Sequence, residues 1–130
     1  MSEPVLDASA ILAFLQDEPG AEVVAASLAT GSCPVCAVNL SEAAAKLVDA
    51  GLTRAEVSEV LGDLDLEIVP FGEALALECA WLREPTRGAG LSLGDRACLA
   101  LAKQLSRPVL TTDRAWTSLS VGVTAKLIRP

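Results

Sequence analysis

The stretch LSLGDRACLALAKQLSRPVLTTDRAW, residues 91–116, is the most informative about the fold, because a helical pattern is followed directly by a strand pattern. A carboxylate lies next to each of the two patterns. Apolar residues at helical spacing predict a helix over 93–105: Ala97, Cys98, Leu101, Ala102 and Leu105. The short apolar run 109–111 predicts a strand. Asp95 lies in the first turn of the helix, and Asp113 follows the strand. The segment is therefore typical of a chain in which strands and helices alternate.

The same alternation extends in both directions from this segment. Strands are predicted at 5–6, 33–38, 66–71, 109–111 and 124–128. Helices are predicted at 8–16, 21–29, 39–50, 53–64, 73–84, 93–105 and 114–118, with a breaker-rich segment at 85–90 that we expect to form a flexible flap. Such a chain is expected to form one three-layer α/β/α domain over 1–130, with a mostly parallel central sheet of about four to five strands.

Four carboxylates follow strand-like runs or begin helices: Asp7, Glu42, Asp95 and Asp113. In an alternating fold these positions lie at the carboxyl edge of a parallel sheet, where open α/β folds place their ligands. Several carboxylates in one site stay ionised only if a cation joins them. Because oxygen ligands favour hard divalent ions, the pattern predicts a Mg²⁺ or Mn²⁺ site.

Each of these acids also has a structural explanation. Asp7 and Asp113 have the positions of helix N-caps, and the spacings Asn39-x-x-Glu42 and Ser92-x-x-Asp95 are those of capping boxes. Capping is the better explanation for any one acid alone, and the joint pattern is what favours a shared site.

Hydroxyl side chains lie close to two of the acids. Ser9 follows Asp7 by two residues, and Thr111 and Thr112 precede Asp113. They are placed to orient a carboxylate by hydrogen bonding, although ordinary cap or strand roles explain them too, above all for Thr112.

Composition excludes several classes of function. The chain has no histidine, which excludes Ser-His-Asp hydrolysis and His-ligated zinc. With four aromatic residues and no tyrosine, a base-stacking platform of the OB or RNA-recognition-motif kind is not expected. The net charge of -7 opposes generic nucleic-acid binding, but the four candidate ligands supply part of it, so charge alone does not decide the partner.

Four cysteines raise the question of a redox or zinc function. Cys33-Pro34-Val35-Cys36 is a CxxC pair at a predicted strand-to-helix boundary, as in thioredoxin-like proteins. Its flanks are apolar and unlike a thioredoxin active-site segment, so we expect thiols that pack as small hydrophobic groups. No leader sequence or membrane span is expected, and the protein is predicted to be cytoplasmic.

Four segments together resemble the signature segments of PIN-domain ribonucleases, most closely the VapC-type toxins of bacterial toxin-antitoxin pairs. They are VLDASA at 5–10, NLSE at 39–42, LSLGDRACLA at 91–100 and VLTTDRAW at 109–116. The match covers almost the whole chain in motif order, and the last two segments are the most specific.

The resemblance implies a Mg²⁺- or Mn²⁺-dependent endoribonuclease. It carries over Asp7, Glu42, Asp95 and Asp113 as the acidic metal cluster and Thr111 as a polar helper. Some relatives have a further acid near the position that Thr117 occupies here, so the number of metal ions stays open. A catalytically inactive PIN-like binding module and a CxxC redox protein remain as alternatives.

The resemblance also implies a VapB-like antitoxin partner and a homodimer. Some apolar helix residues could be exposed for a partner, although core packing is the better explanation for each taken alone: Phe14, Leu15, Val23, Val24, Val57 and Val60. Basic residues expected near the proposed site, and therefore candidates for RNA contact, are Lys46, Arg87, Arg96 and Arg114.

Overall fold

A computed structural model describes residues 3–130, which form six α-helices and five short strands. The strands are β1 (Val5–Leu6), β2 (Pro34–Cys36), β3 (Glu67–Val69), β4 (Val109–Thr111) and β5 (Ala125–Leu127). The helices are α1 (Ala8–Leu15), α2 (Ala21–Leu28), α3 (Ala37–Asp49), α4 (Arg54–Gly62), α5 (Glu73–Trp81) and α6 (Leu93–Leu105). Two 3₁₀ turns cover Arg87–Ala89 and Arg114–Ser118.

All strand pairs in the described residues are parallel. One ladder has the order β1-β4-β5, with Val5 opposite Val109 and Leu6 opposite Leu110. The other ladder pairs β2 with β3, and β2 lies next to β1. The predicted three-layer α/β/α fold with a parallel central sheet is confirmed.

Strand alternation divides the core into two apolar clusters. Val5 and Val109 contact one cluster, which contains the buried faces of α5 and α6 together with Trp116. Leu6 and Leu110 point to the opposite face, where they pack with residues of α1 and α2. Because successive side chains of a strand point to opposite sides, each short strand stabilises both helical layers.

One predicted boundary is wrong in a way that affects the site. Helix α3 begins at Ala37 with Cys36 as its N-cap, two residues before the predicted start. Asn39 therefore lies inside the first turn of the helix and is buried, and Asn39-x-x-Glu42 is not a capping box. The same early start ends β2 at Cys36, and the strand begins at Pro34, so Cys33 lies before it.

The segment at 85–90 contains more structure than the predicted flap. Thr86 is buried, and its hydroxyl donates a hydrogen bond to the carbonyl of Leu82 at 2.6 Å. The 3₁₀ turn Arg87–Ala89 follows directly. The hydrogen bond from Thr86 therefore holds the segment 85–90 against the end of α5.

Several of the helix residues considered for partner contact pack in the core. Val24 and Val57 are buried, whereas Val23 is exposed and Phe14, Leu15 and Val60 are half-buried. No helix among residues 3–130 is long and apolar enough to cross a membrane.

Candidate active site

The four predicted carboxylates line one pocket of about 540 Å³. Asp7 follows β1, Glu42 lies on α3, Asp95 is in the first turn of α6, and Asp113 follows β4. The lining also includes Ser9, Asn39, Lys46, Thr112 and Arg114. Parallel topology accounts for this convergence, since the carboxyl ends of β1 and β4 and the start of α6 lie at one edge of the sheet.

Asp7 is held by three hydrogen bonds. Its Oδ1 accepts from the Ser9 hydroxyl at 2.7 Å and from the backbone N–H of Ala10 at 2.8 Å. Its Oδ2 accepts from the Thr111 hydroxyl at 2.6 Å. The bond from Ala10 makes Asp7 the N-cap of α1, as predicted. The bond from Thr111 joins Asp7 to β4, so one carboxylate fixes the helix start relative to the neighbouring strand.

Burial dominates the ionisation of Asp7, whose side chain is only 6% exposed. Desolvation raises the pKa of Asp7 from 3.8 to about 6, even though the hydrogen bonds from Thr111, Ser9 and Ala10 lower it. The negative charge of Asp95 adds to the increase. Burial without a cationic partner therefore destabilises the ionised form of Asp7, and a nearby cation would stabilise it.

The hydroxyls of Ser9 and Thr111 extend this arrangement to Asp113. Ser9 accepts a hydrogen bond from the backbone N–H of Thr112 at 3.0 Å, and Thr111 accepts one from the backbone N–H of Asp113 at 3.0 Å. Both hydroxyls therefore donate to Asp7 and accept from the chain after β4. Thr112 contributes its backbone to this contact, in agreement with an ordinary role for its side chain.

Across the pocket, Glu42 is positioned by close packing between α3 and α6. The Asn39 amide donates to Glu42 Oε1 at 3.0 Å and to the carbonyl of Gly94 at 2.9 Å. A Cβ at Gly94 would collide with the Glu42 carboxylate. Only glycine at position 94 therefore leaves room for Glu42 where it stands.

Asp95 and Asp113 cap helices while they line the pocket. Asp95 and Ser92 form a reciprocal capping box, with Oδ2 of Asp95 accepting from the Ser92 backbone N–H at 3.0 Å. Oδ1 of Asp113 accepts from the Ala115 backbone N–H at 2.9 Å. Asp95 and Asp113 can cap a helix start and line the pocket at once, because each cap uses one oxygen of the carboxylate.

The donor set matches a hard divalent cation. One oxygen each of Glu42, Asp95 and Asp113 accepts no hydrogen bond from any described residue. The buried Oδ1 of Asn39 also has no partner within the described chain. Across residues 3–130, no three acid or thiol side chains are close enough to bind one ion as they stand, so the carboxylates share a pocket without forming a closed cluster.

The predicted basic residues divide into two groups. Lys46 and Arg114 line the acidic pocket, whereas Arg87 and Arg96 do not. The half-buried Arg96 donates from Nη1 to the carbonyl of Cys79 at 3.4 Å, which joins α6 to α5. Arg87 lies on a separate depression at the end of α5.

The cysteines lack the features of a redox site. All four are free and buried. Burial raises the pKa of Cys33 to about 11 and raises the pKa of Cys36, Cys79 and Cys98 as well. Redox-active thiols need the opposite shift together with access to solvent. The expectation that the CxxC thiols pack as small hydrophobic groups agrees with their burial.

Asn39 and Gly94 are the site residues whose roles the sequence analysis missed. A sequence pattern pointed to Asn39, because a spacing of three places it on the same helix face as Glu42. The contact with Gly94 joins residues 55 positions apart, which no local pattern reveals.

A family model for the PIN domain matches residues 5–121. The chain belongs to the PIN domain family. All four pocket acids lie within the matched range. PIN domains are generally nucleases, and the position of the pocket within the fold agrees with that activity. No curated protein matches the sequence.

Several solved structures have a similar fold. DNA-bound VapBC from Salmonella typhimurium matches with a TM-score of 0.76 and 15% identity, over 98% of this chain and 99% of that one. A toxin-antitoxin complex from Klebsiella pneumoniae matches with a TM-score of 0.73 and 14% identity, over 93% and 95%. FitAcB from Neisseria gonorrhoeae matches with a TM-score of 0.65 and 26% identity, over 95% and 96%.

Proposed function

We propose that this PIN domain is a Mg²⁺- or Mn²⁺-dependent endoribonuclease and acts as the VapC-type toxin of a toxin-antitoxin pair. The observation that carries the proposal is the pocket in which Asp7, Glu42, Asp95 and Asp113 meet. The family supports nuclease activity, and the similar folds of VapBC and FitAcB support the toxin assignment.

Asp7, Glu42, Asp95 and Asp113 are the residues that would hold the cation. When bound, the cation polarises the phosphodiester and lowers the pKa of an attacking water, which supplies a nucleophile without histidine. The positive charge would also compensate the buried carboxylate of Asp7, whose pKa is raised by desolvation.

The chain itself contributes orientation and charge. Ser9 and Thr111 hold both oxygens of Asp7, and Asn39 holds one oxygen of Glu42, so the ligands keep fixed orientations. Lys46 and Arg114 are the cationic side chains in the lining. We propose that they bind phosphates of the RNA, because without them the acidic pocket would repel a polyanion.

Cleavage of single-stranded RNA in Mg²⁺ and in EDTA tests the proposal. We expect Mg²⁺ or Mn²⁺ to support cleavage, EDTA to stop it, and Asp7→Asn to remove it. A matched control is Asp49→Asn, at the far end of α3 and outside the pocket, which should cleave normally. EDTA-resistant cleavage, or full activity of Asp7→Asn, would refute the metal-dependent scheme.

The antitoxin and dimer assignments need a separate experiment. The product of an adjacent reading frame should co-purify with this protein and suppress its RNA cleavage, and light scattering should give the mass of a dimer for the free protein. An active nuclease that is monomeric and binds no such product would keep the enzyme assignment and remove the toxin assignment. A protein that binds the product but never cleaves RNA would favour the inactive PIN-like binding module.

A further inference from the structure

Trp81 is the most exposed large apolar side chain in the described structure, at 64% relative exposure. The other tryptophan, Trp116, is buried in the core, and the two phenylalanines are half-buried. An indole ring in solvent gains nothing for folding. Because aromatic faces and edges bind other π-systems and cations well, an isolated exposed tryptophan marks a contact surface.

Two arginines accompany Trp81. Trp81, Arg83 and Arg87 line one shallow depression of about 500 Å³ at the end of α5, with Ala80, Glu84 and Pro85 completing it. Within residues 3–130, the one ion pair joins Arg129 to Glu18, so neither arginine here is paired with a carboxylate. An indole that shares a depression with two guanidinium groups unpaired with any carboxylate is suited to a ligand with both aromatic rings and negative charges.

The depression lies at the same end of the domain as the acidic pocket. The carbonyl of Cys79, two residues before Trp81, accepts from Arg96, the residue after Asp95. The Cys79 thiol in turn contacts the carbonyl of Leu93, two residues before Asp95. The last turn of α5, which carries Trp81, therefore packs against the first turn of α6, which carries Asp95.

We propose that Trp81, Arg83 and Arg87 form a binding platform for single-stranded RNA at the end of α5, which packs against the helix turn that carries Asp95. The indole stacks on an unpaired base, and the two guanidinium groups hold the flanking phosphates. The inference rests on the proposed nuclease function and adds where the substrate binds. One stacking residue is enough for this role, because it grips one nucleotide while the acidic pocket receives the phosphodiester.

Charge favours RNA over a protein ligand at this surface. Leu77 and Leu93 are also exposed on α5 and at the start of α6, and an apolar partner would cover them. The depression, however, is lined by two cations and one acid in a chain of net charge -7. A polyanion is the partner that this local reversal of charge attracts.

Steady-state cleavage kinetics with a single-stranded RNA of mixed sequence test the platform. Trp81→Ala should raise KM about 5- to 100-fold with little change in kcat, because stacking holds substrate and transition state alike. Trp81→Phe should restore most of the affinity. Leu77→Ala, which removes an exposed apolar side chain one turn earlier on α5, is the control and should leave KM unchanged.

An abasic scan distinguishes stacking from a structural effect. RNAs that lack one base at a time should include a position where the wild type loses affinity and Trp81→Ala loses nothing further. Additive losses at every position would overturn the stacking contact. An unchanged KM for Trp81→Ala would overturn it too, and if that variant also dissolved a dimer in light scattering, the surface would be a protein interface.

Tryptophan fluorescence separates this inference from the nuclease proposal, because it does not require cleavage. The same RNA in EDTA should quench the emission of exposed Trp81, whereas buried Trp116 should remain as the unquenched signal in Trp81→Ala. Quenching without any cleavage by the wild type in Mn²⁺ would keep the platform and refute the nuclease. Cleavage without quenching would keep the nuclease proposal and refute the platform.

Discussion

The two sides of the acidic pocket are built by different means. On the β1–β4 side, hydrogen bonds converge on Asp7 from Ser9, Ala10 and Thr111. On the α3–α6 side, Glu42 is held by one amide donor and by the space that Gly94 leaves. The first side fixes a buried charge through redundant polar contacts, whereas the second fixes a half-buried charge through packing.

This difference determines how each side should respond to substitution. Removing one hydrogen bond from Asp7 leaves two others, so the β1–β4 side should tolerate the loss of a single partner. A methyl group at Gly94 takes the volume that the Glu42 carboxylate occupies, so this one substitution should move Glu42 out of its present position. The predictions below run from the largest expected effect to the smallest.

Removal of the Asp7 carboxylate should have the largest effect on ion binding. We expect Asp7→Asn to weaken Mn²⁺ binding by about 100-fold or more. Mutating a residue that only orients a metal ligand already lowers metal affinity by about 10- to 100-fold, and Asp7 is expected to be a ligand itself. Isothermal titration calorimetry with Mn²⁺ measures this loss without any RNA. An unchanged affinity would place the ion elsewhere.

In EDTA, the same variant should remove the contribution that Asp7 makes to the pH dependence of stability. Because the pKa of Asp7 is raised to about 6 in the folded protein, the native state binds the proton more tightly than the unfolded chain. The free energy of unfolding should therefore fall as pH rises from about 4 to about 6, by at most about 3 kcal/mol. Urea denaturation of the wild type and Asp7→Asn measures the difference.

Asp7→Asn should be the more stable protein at neutral pH and should lose this advantage near pH 4, at about the ordinary pKa of the carboxyl. The gain stays below the full shift because an amide presents a donor where Thr111 also donates. Mn²⁺ should restore stability to the wild type alone. Parallel stability curves for the two proteins would show that the Asp7 charge is already compensated.

Gly94→Ala should reduce Mn²⁺ affinity about 10- to 100-fold, because the added Cβ displaces the carboxylate of Glu42. Gly62→Ala is a matched control, since Gly62 also lies in a helix and a Cβ there meets nothing within 4 Å. The control should bind Mn²⁺ normally and gain up to about 1 kcal/mol from helix propensity. Equal Mn²⁺ affinities in the two variants would show that Glu42 does not bind the ion.

Ser9→Ala should have the smallest effect. It removes one of three hydrogen bonds to Asp7, which should cost about 1 kcal/mol in the free energy of unfolding and raise the pKa of Asp7 further. Mn²⁺ affinity should fall by less than about 10-fold. Thermal unfolding of Ser9→Ala, compared with the exposed-serine control Ser58→Ala, measures the loss of stability. If Ser9→Ala lost as much Mn²⁺ affinity as Gly94→Ala, the three hydrogen bonds to Asp7 would not be redundant.

Much of the fold could be predicted because its elements carry their own patterns. The strand 109–111 and the helix 93–105 occur where apolar runs and helical spacing placed them. Helix α4 lies within the predicted range 53–64, and the Ser92–Asp95 capping box forms as its spacing predicts. Topology then explains why acids that are far apart in sequence line one pocket.

The interior of the pocket could not be predicted in the same way. Asn39 has the residue type and spacing of a cap, but its amide gains more by bonding Gly94 across the α3–α6 contact. Trp81 also has no distinguishing pattern, because at helical spacing an aromatic residue is ordinarily part of a core. Which face of α5 remains exposed depends on tertiary packing.

Mn²⁺ binding observed by anomalous diffraction from a soaked crystal tests the central claim most directly. The account predicts one peak or two adjacent peaks within the pocket, in contact with carboxylate oxygens of Asp7, Glu42, Asp95 and Asp113. Strong peaks only outside the pocket, or an ion that leaves these four acids uncoordinated, would contradict it.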